Sequence, residues 1–380
     1  MTDVFDIAEA LVSHAVKTHG DKIGIIAYYG SYATGTARDS SDLDLFYVPD
    51  DIKSTSSLYC SFILDHRAFE FWPISWQRLE RIASAHEHWP VSAGLISNSK
   101  TLYSRSEEDL NRFKALKMTI KELQTPEKRL EMVKKALSSF TTVLNSLGKL
   151  RLEAKKGHFP GLRWAGWEVI TSSVECLALV NQTYFNKGWG SNQEEVLSLK
   201  DKPENLAELI ETISTSKDVE TVLTTSEELA YETREILLRA QRKVGKGETV
   251  RTVFKDYFPG IFEYVNKVIS SVEENKPVAA NYAAAKIQFE CSSFLSRALT
   301  GVDHGEFNLY SEYYDLYREN KFPNLMELAA PEDYSRLVER AKKLEEVSRA
   351  FFKKANVELN TVDDIDHLKR FIEDRAKSGQ

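Results

Sequence analysis

Two aspartates stand one residue apart at the point where a buried strand should begin. In "YYGSYATGTARDSSDLDLFYVP", residues 28–49, a β-forming run ends at a Gly-Ser pair, and the chain returns through Asp42 and Asp44 into a second apolar run. Strands disfavour Asp, and a carboxylate taken out of water without a partner is costly. Alternate residues of a strand share a face, so this spacing sends both carboxylates one way and Leu43 and Leu45 the other. A sheet that tolerates two converging negative charges needs a reason, and a bound cation would be one.

The neighbouring sequence supports a sheet. From about residue 23 to 73, "IGIIAYY", "DLDLFYV", "SLYCSFIL" and "AFEFWPI" are short β-forming runs separated by turn residues. Helical spacing precedes them in "DVFDIAEALVSHAVKTHG", with Gly20 as a C′ residue, and follows them in "SWQRLERIASA", with Ser75 as its cap. Beyond about residue 106 strand signals nearly vanish. Thr125 and Pro126 open a long helix that Gly157 ends, and Leu130, Val133, Leu137, Phe140, Leu144 and Leu147 form its apolar stripe. A second helix follows Pro160, and further helical segments are expected at 204–215, 220–243, 250–275, 278–299, 332–356 and 362–377. The expected fold class is α+β: a sheet-bearing domain over 1–115 and an all-α helical-bundle region over 116–380, subdivided near 246–250 at "GKGE".

The Gly-Ser turn has the makings of a phosphate cradle. Gly30 has no side chain to keep a phosphate from the backbone, and Ser31 adds a hydroxyl to N–H groups at a following helix start. Hard cations such as Mg²⁺ favour a few carboxylates plus phosphate oxygens, which Asp42, Asp44 and the cradle would assemble together. Glu70 is the lone acid of "AFEFWPI", with Phe69 and Phe71 on the other face; a strand adjacent to Asp42–Asp44 would bring it to the same place. Three carboxylates beside a phosphate cradle suit in-line phosphoryl or nucleotidyl transfer with two metal ions.

These residues, "GSYATGTARDSSDLD", resemble the G-S-x-x-x-G-x(5)-S-D-x-D signature of the DNA polymerase beta-like nucleotidyltransferase superfamily. Six specified positions at ordinary usage would coincide in a chain of this length with odds of roughly one in ten thousand or less. The resemblance covers about the first 115 residues and implies a minimal nucleotidyltransferase fold, a small mixed sheet flanked by helices. It further implies that Gly30 and Ser31 hold nucleotide phosphates, that Asp42 and Asp44 bind Mg²⁺, and that Glu70 is the third ligand, with ATP or another NTP as co-substrate and two ions in the site. The helical remainder resembles, in general terms, the bundles of bacterial aminoglycoside nucleotidyltransferases of the kanamycin-modifying kind.

Other residues carry two readings each. Arg38 either neutralises a triphosphate or solvates its loop, and Ser41 either contacts phosphate or closes a turn. His86 and His88 read as surface residues beside a core Trp89. A general base for the acceptor hydroxyl is expected outside the first domain. Glu168 and Glu175, seven residues apart, lie on one side of a helix at the border of an apolar arc of Trp164, Trp167, Ile170 and Val174; they are candidates for that base or for rim residues paired with Lys or Arg, and Glu153 is a third.

Charge and composition narrow the acceptor. A net charge of −7 argues against a nucleic-acid enzyme and favours small neutral or cationic ligands. No apolar run approaches the roughly 20 residues needed to span a bilayer, and no secretory leader pattern is visible, so a soluble cytoplasmic protein without a membrane partner is expected. Cys60, Cys176 and Cys291 lack metal-ligand spacing and read as buried thiols. The expectation is transfer of AMP from ATP to a hydroxyl of a small polar, aminoglycoside-like acceptor with release of pyrophosphate. Competing readings are a protein adenylyltransferase, a template-independent nucleic-acid nucleotidyltransferase and a catalytically silent binding module; a homodimer stays open.

Overall fold

The computed structural model describes residues 2–38, 41–244, 249–300, 309–328 and 330–378. They form two compact units, Met1–Val244 and Gly245–Gln380. The change of texture at 115/116 falls inside a helix of the first unit, and "GKGE" at 245–248 lies outside the described residues.

The first unit opens with α1 (Val4–His19), capped by Asp3, whose carboxylate accepts from the Phe5 N–H. Gly20 does not end it in the left-handed conformation; its φ of −60° leads into a short 3₁₀ turn that feeds β1 (Ile23–Tyr29). After the turn helix α2 (Ser31–Thr34) come β2 (Asp44–Pro49), β3 (Cys60–Leu64) and β4 (Arg67–Pro73). Helices α3 (Trp76–Ala83) and α4 (Trp89–Ser97) then precede β5 (Lys100–Ser104). The sheet order is β3-β4-β2-β1-β5, antiparallel except for the parallel pair β2 and β4, so the sheet is mixed.

Period two sorts the sheet into faces. One face buries Leu43, Leu45, Tyr47, Phe69 and Phe71 with Val4, Ile7, Ala8 and Ala15 of α1. The opposite face carries Tyr29, Phe46 and Trp72, which touch edge-on or tilted, and Phe46 meets Phe113 of α5 (Glu107–Leu123). Ser75 caps α3 as expected, its hydroxyl accepting from the Arg78 N–H.

Helices complete the unit: α6 (Arg129–Lys156), α7 (Phe159–Val180), α8 (Gln193–Leu197), α9 (Leu206–Thr215) and α10 (Val219–Val244). Gly157 ends α6 with a φ of 65°, a left-handed cap that glycine adopts without strain. The buried stripe of α6 is rotated from the expected one. Met132, Val133, Ala136, Phe140, Val143, Leu147 and Leu150 are inside, while Leu130 and Leu144 face solvent. α7 is buried along most of its circumference, but Trp164 is 64% exposed and lies outside the arc assigned to it.

The second unit is helical: α11 (Val250–Val253), α12 (Phe258–Glu273), α13 (Pro277–Thr300), α14 (Tyr310–Glu319), α15 (Tyr334–Lys354) and α16 (Ile365–Ser378). It has its own core, built from Phe254, Ile261, Val265, Ile287, Leu295, Tyr317, Leu337, Leu344 and Phe352, among others. Among the described residues no helix is long and apolar enough to cross a membrane. Cys176 and Cys291 are buried free thiols, whereas Cys60 is only partly covered.

Candidate active site

The site is set by the register of three strands. Tyr29, the last residue of β1, pairs with Asp44, the first of β2. Asp44 and Glu70 are each the residue immediately before the paired Leu45 and Phe71 of the parallel strands β2 and β4. Parallel neighbours in register point the same way, so both acids share the Tyr29 face, opposite the core that holds Leu45 and Phe71. Asp42 lies just ahead of the strand rather than within it, and its neighbour Leu43 is fully buried in that same core.

The electrostatics follow from the grouping. Burial first, then the charges of Asp42 and Glu70, push the Asp44 carboxyl from the usual 3.8 up to about 6. Burial, then Asp44, Glu70 and Asp42, also push the Tyr29 phenol upward, against the opposing effect of its bond from Trp72. The indole Nε1 of Trp72 donates to the Tyr29 hydroxyl at 3.2 Å. At the outer edge the Tyr59 hydroxyl donates to Glu70 Oε1 at 3.3 Å, and that carboxylate raises the exposed Tyr59 phenol. Tyr29, Tyr59 and Trp72 were not among the residues singled out in the sequence, although Trp72 follows Glu70 by two and so shares its face.

Gly30 is required twice over. Its φ of 74° and ψ of −152° lie where side chains are strained, and a Cβ built on it would overlap Asp44 Oδ2. The glycine thus lets the carboxylate lie directly against the backbone of the turn. Thr34 and Thr36 then close that turn, their N–H groups donating to the carbonyls of Gly30 and Ser31. Arg38 is exposed, and the Ser41 hydroxyl accepts from the Arg38 N–H at 2.9 Å while the Ser41 N–H donates to the Arg38 carbonyl at 2.8 Å. Ser41 therefore closes a turn.

The helical acids sit elsewhere in the unit. Glu168 is held by Lys149 Nζ at 2.8 Å, and Glu153 by His158 Nδ1 at 3.0 Å. Glu175 lies 3.5 Å from His88 Nδ1, and burial raises its carboxyl while His88 opposes that rise. None of the three is among the groups that perturb Asp44. Trp89 is buried and His88 exposed, as the sequence suggested.

The donor set fits a hard divalent cation that shares its coordination with a ligand. Crowded carboxylates at a half-buried position gain from a positive charge, and Mg²⁺ is commonly held by one or two carboxylates with phosphate and water completing it. Among the described residues no group of three or more His, Cys, Asp or Glu side chains is drawn together closely enough to hold a metal ion.

Comparison with known proteins finds a likeness for the helices that follow the sheet. Residues 110–243 match the model of the KNTase C-terminal domain. No curated protein matches the chain. Among solved structures, the nucleotidyltransferase-like protein from Exiguobacterium sibiricum 255-15 is similar at 15% identity, over 64% of this chain and 84% of that one, with a TM-score of 0.36. Residues 110–243, which span most of α5–α10, are thus similar to a KNTase C-terminal domain.

Proposed function

We propose that the chain transfers a nucleoside monophosphate, AMP from ATP, to a hydroxyl of a small polar, aminoglycoside-like acceptor and releases pyrophosphate. The likeness of residues 110–243 to the KNTase C-terminal domain supports a nucleotidyltransferase. The observation that carries the finer reading is the crowding of Asp42, Asp44 and Glu70 on the sheet face beside Gly30, with the Asp44 carboxyl driven up by burial and then by its two acid neighbours.

Asp42, Asp44 and Glu70 would hold Mg²⁺, which supplies charge neutralisation for the triphosphate and for the transition state and makes the acceptor hydroxyl more acidic. Gly30 seats the Asp44 carboxylate against the turn, and Ser31 would offer its hydroxyl to the triphosphate there. The acceptor oxygen bonds to the α-phosphorus, the bond from that phosphorus to the bridging oxygen breaks, and pyrophosphate leaves with the electron pair. A carboxylate takes the acceptor's proton. Glu175 suits that role better than Glu168, because burial lifts its carboxyl toward the working pH whereas Lys149 already engages Glu168. An acidic chain favours a cationic acceptor, which supports an aminoglycoside-like compound.

The test is incubation with Mg²⁺, each of the four NTPs and a panel of aminoglycosides and other small polyols, read for pyrophosphate and by mass spectrometry for a nucleoside monophosphate adduct. AMP adducts that vanish in Asp42→Asn and Asp44→Asn are the expected result. Adducts that persist in both variants would overturn the site, and no pyrophosphate with any aminoglycoside would overturn the acceptor class.

A further inference from the structure

We propose that Tyr59 is a positioning residue of the carboxylate site, its phenolic hydroxyl fixing the direction of Glu70 without cancelling the charge of that acid. This rests on the reading above, and it assigns a role to a side chain outside the acids themselves.

The contact is direct. The Tyr59 hydroxyl donates to Glu70 Oε1 at 3.3 Å; among the described residues no other side chain bonds that carboxylate, and no Lys or Arg pairs with it. Strand register explains the meeting. β3 and β4 are antiparallel with Ser61 opposite Glu70, so Tyr59, two residues before Ser61, shares the face of the acid and stands diagonal to it. Its φ of −60° and ψ of 126° are extended, which carries the alternation of β3 through residue 59. Diagonal neighbours lie about 7–8 Å apart, within reach of an aromatic side chain. The backbone of Tyr59 is itself tied down: its N–H donates to the Ser56 carbonyl at 3.3 Å, closing the 3₁₀ helix Lys53–Leu58. The kind of donor matters as much as its place. Glu70 is exposed, and its charge reaches Asp44, whose ionisation it opposes. An exposed carboxylate without a partner turns freely, and that freedom is lost when it must ligate. A lysine or arginine would hold it but would offset the negative charge that a cation needs. A neutral phenol donates one hydrogen bond, keeps the acid an anion, and leaves Oε2 to bind. Hydrogen bonds of this outer kind orient ligating carboxylates.

The experiment measures Mn²⁺ binding by electron paramagnetic resonance in the full chain with ATP and no acceptor, corrected for the Mn²⁺ that ATP alone holds. It compares the wild type, Tyr59→Phe, Glu70→Gln, their double variant and Asp44→Asn. Removing the phenol oxygen alone should weaken Mn²⁺ binding about 10-fold while the thermal midpoint hardly moves. Glu70→Gln should lose at least as much, and the double variant should bind no worse than Glu70→Gln, because the phenol acts only through the carboxylate. Wild-type affinity in Tyr59→Phe overturns the inference, as does a loss on removing the phenol that is undiminished in the Glu70→Gln background. Should Tyr59→Phe not fold, Tyr59→Leu carries the test, and unchanged affinity there overturns it equally. The acid variants separate the two levels. If Asp44→Asn and Glu70→Gln lose Mn²⁺ while Tyr59→Phe does not, only the role of Tyr59 falls; if both bind as the wild type does, or the wild type holds no Mn²⁺ beyond that of ATP, the metal site falls and this inference with it.

Discussion

Burial and two neighbouring acids oppose the ionised form of Asp44, and the sign of that penalty can be measured. Its carboxyl ionises near 6 in the folded chain and near 3.8 in an ordinary setting, so between those values the native state binds more protons than the unfolded state. Stability therefore falls as pH rises from about 4 to about 6, and the penalty, about 3 kcal/mol at ~1.4 kcal/mol per unit, is fully present above that window. In EDTA at pH 7.5, Asp44→Asn should raise the calorimetric midpoint, and the difference should close at pH 4. Added Mg²⁺ with ATP should then stabilise the wild type and not the variant, since only binding to the native state shifts unfolding. A midpoint lowered by the substitution at pH 7.5 would show that Asp44 is stabilised as an anion by something other than a cation. Gly30 supplies the companion test. Gly30→Ala strains a backbone conformation by about 1–3 kcal/mol and pushes the Asp44 carboxylate off its seat, so turnover should drop by about 10²-fold, far more than the change in stability suggests. Steady-state kinetics beside a urea titration checks both halves.

Two glycines on helices should respond in opposite directions, which shows what the elements ask of their residues. Gly94 of α4 lies against the following chain: a Cβ there would come within 2.9 Å of the Phe185 carbonyl oxygen, a segment already tied to α4 by the Phe185 N–H on the Pro90 carbonyl and by Tyr184 on Ser97. Gly148 of α6 has nothing within 4 Å of the same position. Gly94→Ala should cost about 1–3 kcal/mol of overpacking, and Gly148→Ala should gain about 0.5–1 kcal/mol by removing helix-interior glycine entropy. Urea denaturation of both variants decides it, and equal signs would contradict the packing. Legibility followed the same physics. β1, β2, β3 and β4 could be read because apolar residues alternate or run together in them, and Asp44 and Glu70 were visible as acids in an apolar context. β5 escaped because "KTLYS" is an edge strand with exposed Lys100, Thr101 and Leu102. α14 escaped because tyrosines fill its sequence and only Tyr313 and Tyr317 are buried. The α6 stripe was read a fraction of a turn off, since Met132, Ala136 and Val143 carry less weight in a pattern than Leu130 and Leu144 although they are the ones inside. Tyr29 and Trp72 could not be weighed from sequence alone: their place beside the acids depends on which strands lie side by side.

On the scale of the whole molecule, the core of the second unit and the core under the sheet are built from separate residues, and a mutation in the former should not reach the chemistry placed beside the latter. The core around Ile287, Leu337 and Leu344 is assembled entirely from residues of the second unit, whereas the sheet core gathers Leu43, Leu45, Phe69 and Phe71 with α1. Leu344 is fully buried, so Leu344→Ala removes its contacts and leaves a cavity at a cost of about 2–5 kcal/mol. Stability within a chain is local when cooperative units are distinct. Hydrogen exchange read by mass spectrometry should therefore show faster exchange in peptides from 250–354 of this variant, with β1, β2 and β4 protected as in the wild type. Binding of Mn²⁺ with ATP should also be unchanged, because every residue assigned to the carboxylate site lies between 29 and 72. Protection lost equally in the sheet strands would mean that the two cores unfold as one, and the nucleotide site would then depend on helices 180 residues or more away in sequence from the acids that form it.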